Sequence, residues 1–86
     1  MNPAERLVLL RQRLENAFSP TVLTIQDDSE KHQGHPGARS GAGHYTVTLH
    51  ADSLQGLSRV DAHRKIYAVL DDLIPHEIHA LAIKLV

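Results

Sequence analysis

Leu54–Val86, LQGLSRVDAHRKIYAVLDDLIPHEIHALAIKLV, decides the fold. It reads as a turn, a helix and a closing strand. Gly56 marks the turn and Ser58 is a good helix N-cap. Asp61, three residues on, completes a pair like a capping box, whose usual partner is Glu or Gln. Val60, His63, Tyr67, Leu70 and Ile74 recur at helical spacing and predict one apolar face on a helix from Ser58 to about Leu73. Pro75 stops that helix, because its ring and missing N–H cannot continue the ladder. From Ile78 the period changes to two. His79, Leu81, Ile83 and Leu85 are expected on one side, with Ile78, Ala80, Ala82 and Lys84 on the other. His79 then opens a strand whose register is fixed by three large aliphatics.

Upstream, HYTVTLHA (residues 44–51) alternates cleanly. Tyr45, Val47 and Leu49 are expected on one face, and His44, Thr46, Thr48 and His50 on the other, as in a half-buried strand of an antiparallel pair. Residues 27–43, DDSEKHQGHPGARSGAG, hold four glycines, one proline and two histidines and keep no period. They read as a long loop, which in so small a chain is often functional. Thr21–Gln26 is short and β-branched and reads as a strand, with Leu23 and Ile25 sharing a side. At the start of the chain Asn2 can cap a helix, Pro3 suits its first position and Glu5 sits near its positive end. Leu7, Leu10, Leu14, Ala17 and Phe18 form its expected apolar face, with Arg6, Arg11, Gln12, Arg13 and Glu15 mainly off it. Those three arginines read as a solvated face. Ser19-Pro20 ends the helix.

The order α-β-β-α-β predicts an α+β fold. Two strands form an antiparallel hairpin around the long loop. The second helix is a crossover that brings the last strand in parallel to the second. Both helices then cover one face of a three-stranded mixed sheet. No internal repeat occurs.

The totals agree with one domain, residues 1–86, with a modest core built from Leu, Ile, Val and Ala. The only aromatics are Phe18, Tyr45 and Tyr67. With no cysteine, disulfides are excluded and any thiolate must come from another molecule. No apolar run is long enough to span a bilayer, and residues 1–18 are amphipathic rather than a signal peptide, so a cytoplasmic protein is expected. Net charge is -1 with His neutral, which argues against general nucleic-acid binding. Seven histidines make the charge sensitive to pH around ~6.5, where an ordinary imidazole titrates.

Support for nucleophilic catalysis is thin, because no G-x-S-x-G or similar context occurs. The acid pairs Asp27-Asp28 and Asp71-Asp72 sit at a loop start and a helix end and read as solvated, so no enzyme is expected. Gly34-His35-Pro36-Gly37 spells G-x-x-G, but between strands and with a proline inside, and reads as chance. Arg59, His63, Arg64 and Lys65 form the best basic patch. Asp61, Asp71 and Asp72 dilute it, and aromatics for stacking single strands are missing. His63 lies on the apolar stripe and reads as a core-edge histidine. Among the histidines, His79 stands out because its strand has a fixed register. In a parallel crossover it also lies at the end of the sheet that the 27–43 loop shares, where His32 or His35 can reach it. Two imidazoles without thiols make an incomplete site, since structural zinc wants four ligands. A partner would supply the rest.

L-x-G-L-S-R-V-x-x-H-R-K-I-Y-x-x-L over residues 54–70, followed by H-A-L-A-I-K over 79–84, resembles the BolA family. The likeness is weaker over D-D-S-E-K-H and G-H-Y-T-V and faint in the first helix. The resemblance implies a KH-like α/β fold and a partner, a monothiol glutaredoxin with glutathione. It further implies one 2Fe–2S cluster shared between the two proteins and none in the isolated chain. The partner would supply the thiolates, while this chain would supply a histidine of the last strand and one of the hairpin loop. Carried over by motif, the first is His79 and the second is His32, whose S-E-K-H matches S-x-x-H. His35 is the alternative, in a loop longer and more glycine-rich than is usual for the family. Family members have also been proposed to bind DNA, which points to Arg59, His63, Arg64 and Lys65. Here Ala62 stands where many relatives carry arginine. The expected function is an accessory role in iron–sulfur trafficking or iron sensing, and the alternative is a nucleic-acid-binding regulator.

Overall fold

Asn2 starts the first helix as its side chain dictates. Its Oδ1 accepts from the Glu5 amide at 2.8 Å, which satisfies one orphan backbone N–H, and its Nδ2 donates to Glu5 Oε1 at 2.9 Å, which pairs the two side chains. The structure, a computed structural model, describes residues 1–29 and 41–86. Helix α1 runs over Pro3–Phe18 and ends at Ser19, a left-handed residue whose N–H donates to Glu15 O. Strand β1 spans Val22–Asp27 and strand β2 spans Gly43–His50. A 3-10 turn at Asp52–Leu54 leads to helix α2, Arg59–Val69, where Ser58 Oγ accepts from the Asp61 amide at 3.1 Å. A second 3-10 turn, Asp71–Leu73, precedes strand β3, Ile78–Leu85.

The sheet has the order β1-β2-β3. β1 pairs antiparallel with β2, and β2 pairs parallel with β3, as the crossover helix requires. Tyr45, Val47 and Leu49 of β2 are buried with Leu10 and Leu14 of α1 and with Ala62 and Ile66 of α2. The expected α+β architecture, two helices and a three-stranded mixed sheet, is therefore the observed one. Arg13 fastens the two helices together. Its guanidinium donates to both Asp72 carboxylate oxygens, at 2.7 and 2.8 Å, and to Val69 O at 3.0 Å.

Four expectations are corrected. The buried stripe of α2 is Ala62, Ile66 and, just beyond the helix, Leu70 and Leu73; Val60 is 57% and Tyr67 39% exposed. Both stripes have helical spacing, so periodicity alone cannot choose between them. The Tyr67 hydroxyl donates to Leu81 O on β3 at 2.8 Å, which holds Tyr67 at the helix border and turns Ile66 inward. The helix also ends at Val69 rather than near Leu73. In α1, Arg6 is buried at 6% exposure while Ala17 is exposed. Finally, β3 does not alternate strictly. Ile78 is fully buried in the core that Leu81 and Ile83 also flank, although it stands three and five positions from them, odd offsets that strict alternation would put on the opposite face. A bulge reconciles the two faces.

Candidate functional site

The bulge lies at His79. Gly43 of β2 is opposite Ile78, and the next residue, His44, is opposite Ala80, so His79 is the extra residue on β3. A bulge re-aims the side chain it carries. Here the His79 ring is brought beside the ring of His44, with centroids 5.0 Å apart and planes tilted by 57°. His44 is buried, at 5% exposure, whereas His79 is exposed. The opposite strand leaves no freedom at this point: a Cβ on Gly43 would fall on the Tyr45 ring, so only glycine fits. The Gly43 amide donates to Glu77 O at 2.9 Å, which fixes where β3 begins.

The start of β2 is tied to the end of β1 by short polar contacts. The Asp28 amide donates to His44 O at 2.7 Å, and the His44 amide donates to Ser29 Oγ at 3.2 Å. Thr46 Oγ1 donates to Asp28 Oδ2 at 2.5 Å. Around these groups an open cleft of about 320 Å³ lies over β2 and β3, lined by Asp28, His44, Thr46, Ala80 and Ala82 among others. The methyl side chains of Ala80 and Ala82 leave the space that larger residues would fill.

The spacing of the two rings is that of imidazoles that share an ion. Two imidazoles bound to one tetrahedral metal, with metal–nitrogen bonds of about 2.0 Å, place their ring centroids about 5 Å apart. The His44–His79 spacing meets that condition. Among the described residues no group of three or more His, Cys, Asp or Glu could hold a metal ion, so the pair needs ligands from elsewhere. Two histidines on one iron is an established ligation of a 2Fe–2S cluster, with thiolates on the other iron.

Arg6 approaches the same region from α1. Its Nε donates to Glu77 Oε2 at 3.1 Å, one Nη to Tyr45 Oη at 3.3 Å and the other to Gly41 O at 3.0 Å. Burial disfavours the Arg6 charge, but the bonds to Tyr45 and Glu77 outweigh it and hold its pKa above the ordinary value. Burial likewise pushes the Tyr45 phenol up, against the pull of Arg6.

Of the residues singled out in the sequence, His79 is at the end of the sheet where β2 and β3 both begin. His32, His35 and the G-x-x-G stretch lie outside the described residues. Arg59, Arg64 and Lys65 are exposed on α2 and His63 is half-buried beside them. Arg64 and Asp61 stand 4.0 Å apart with both side chains largely exposed, a pairing of little energetic weight. Sequence reasoning missed His44 and Arg6. The parallel register was the available signal for His44, since it sets the start of β2 against the start of β3. Arg6 carried no local signal.

Comparison with known proteins places these features in a family. A family model described as BolA-like protein matches residues 14–86. The chain is 37% identical to SufE-like protein 1 of Arabidopsis thaliana over 86% of its own length and 21% of that protein's. It is 32% identical to the DNA-binding transcriptional regulator BolA of Escherichia coli, over 88% of this chain and 73% of the relative. It spans about half, 53%, of relatives described as BolA-like protein 1. The solved BolA domain of SufE1 from Arabidopsis thaliana superposes with a TM-score of 0.79 at 34% identity, covering 91% of this chain and 86% of that one. Sequence, sheet order and fold agree, and the chain belongs to the BolA-like protein family.

Proposed function

We propose that this chain is an accessory protein, not an enzyme, that docks a monothiol glutaredoxin and lends imidazole ligands to a 2Fe–2S cluster shared with it, in iron–sulfur trafficking or iron sensing. The observation that carries the reading is the exposed His79 ring at the bulge, 5.0 Å from the His44 ring. His79 would be the rigid ligand. His44 stands at a distance suited to the same iron, and His32 and His35 remain the loop alternatives. With no cysteine in the chain, glutaredoxin and glutathione would provide the thiolates. Such a cluster, with imidazole in place of thiolate, takes a higher reduction potential. Imidazole ligates only when neutral, so acid would release the cargo.

The test is titration of a cluster-loaded monothiol glutaredoxin with this protein, followed by visible circular dichroism and size-exclusion chromatography. A 1:1 complex with a changed spectrum is expected, and the protein alone should be colourless. An unchanged spectrum at excess protein would contradict the reading.

A second reading is nucleic-acid binding through Arg59, Arg64 and Lys65, which are exposed together on α2. It is favoured by the description of the Escherichia coli relative as a DNA-binding transcriptional regulator. Salt discriminates the two. Phosphate contacts weaken steeply as salt rises, because each one releases bound counterions. A protein–cluster complex should show no such slope.

A further inference from the structure

We propose that Arg6 is the positioning residue of the histidine site: one guanidinium from α1 holds Gly41, Tyr45 and Glu77, the residues that flank His44 and His79. The proposal rests on the reading of those two histidines as the functional pair. Arg6 is buried, and its fork is used in three directions, toward a carboxylate, a phenol and a backbone carbonyl. Gly41 lies three residues before His44, and Tyr45 directly follows it. Glu77 lies two residues before His79 and accepts the Gly43 amide through its own carbonyl. The guanidinium therefore fastens both approaches to the bulge. A planar fork with five donors can satisfy three separately placed acceptors, whereas a lysine ammonium is a point charge on a flexible stem. The three partners are 35 to 71 residues away in sequence, so the clamp exists only once the chain is folded.

A merely structural arginine would stabilise the fold without setting the ring pair. Arg13 is that control. It ties α1 to Asp72 and Val69, about 10 Å further along the helix, and touches none of the Arg6 partners. The experiment measures cross-ring nuclear Overhauser effects between His44 and His79 in the isolated, imidazole-labelled protein. Arg6→Gln should abolish them and shift the ring protons of both histidines. Arg6→Lys should not restore them. Arg13→Gln should leave them at wild-type intensity even if its melting temperature falls. Should Arg6→Gln fail to fold, Glu77→Ala removes one arm of the clamp and should weaken the same cross-peaks. Wild-type cross-peaks in Arg6→Gln, or in Glu77→Ala where that variant is needed, would overturn the proposal, as would their loss in Arg13→Gln. No cluster or partner enters the measurement, so it decides the clamp whether or not the glutaredoxin reading holds.

Discussion

Ile78→Ala tests the bulge directly. In the bulged strand Ile78 is fully buried among the core residues. In a strictly alternating strand it would point away from Leu81 and Ile83. Truncation removes three carbons, about 2.4 kcal/mol of transfer free energy at about 0.8 kcal/mol per methylene. A residual cavity of about 40 Å³ adds about 1 kcal/mol at about 24 cal/mol per Å³. The sum, about 3.4 kcal/mol, is a large part of the roughly 4–13 kcal/mol expected for a domain of this length. Equilibrium urea unfolding reads it out. With a slope of about 1 kcal/mol per molar, the midpoint should fall by about 3 M. Leu81→Ala, at a half-buried position, should cost less, about 1–2 kcal/mol. A midpoint for Ile78→Ala within the roughly 0.5 kcal/mol scatter of surface substitutions would refute the bulged register.

Gly43→Ala should destabilise by about 1–3 kcal/mol, because the new methyl meets the Tyr45 ring and the strand must shift; urea unfolding with near-ultraviolet spectra of Tyr45 checks both effects. Arg13 lowers the Asp72 pKa through its hydrogen bonds, so the folded protein takes up that proton less readily than the unfolded chain. Stability from this pair is therefore present above the ordinary carboxylate range and lost as pH falls through the lower, folded value. Asp72→Asn should flatten that part of the acid limb when unfolding midpoints are compared at pH 5 and pH 3, and an unchanged limb would show that the pair is not formed.

Much of the architecture was legible because local signals agreed with one another. Asn2, Pro3 and Glu5 mark the start of α1, Ser58 and Asp61 that of α2, and the alternation of residues 44–51 marks β2 and its buried face. Two hydrophobic runs joined by a helix of crossover length are enough to imply the parallel pairing. The rotation of α2 was not legible, because stripes through Val60 and through Ala62 share one period and only the Tyr67–Leu81 contact separates them. The bulge was equally hidden. One extra residue leaves no mark in composition, and the strand against which it is extra, β2, lies elsewhere in the chain. Arg6 was assigned to the surface because charged side chains are rarely buried unless paired. Its pair, Glu77, stands at the far end of the chain. For the site, His79 was legible from motif and register, but its neighbour His44 required the strand pairing in three dimensions.

The most direct test of the shared-cluster account is the visible circular dichroism of a mixture of cluster-loaded monothiol glutaredoxin with wild type and with His79→Ala. The account predicts a new spectrum with wild type and the unmodified glutaredoxin spectrum with His79→Ala. Identical spectra for the two would exclude His79 as a ligand and move the nucleic-acid reading ahead.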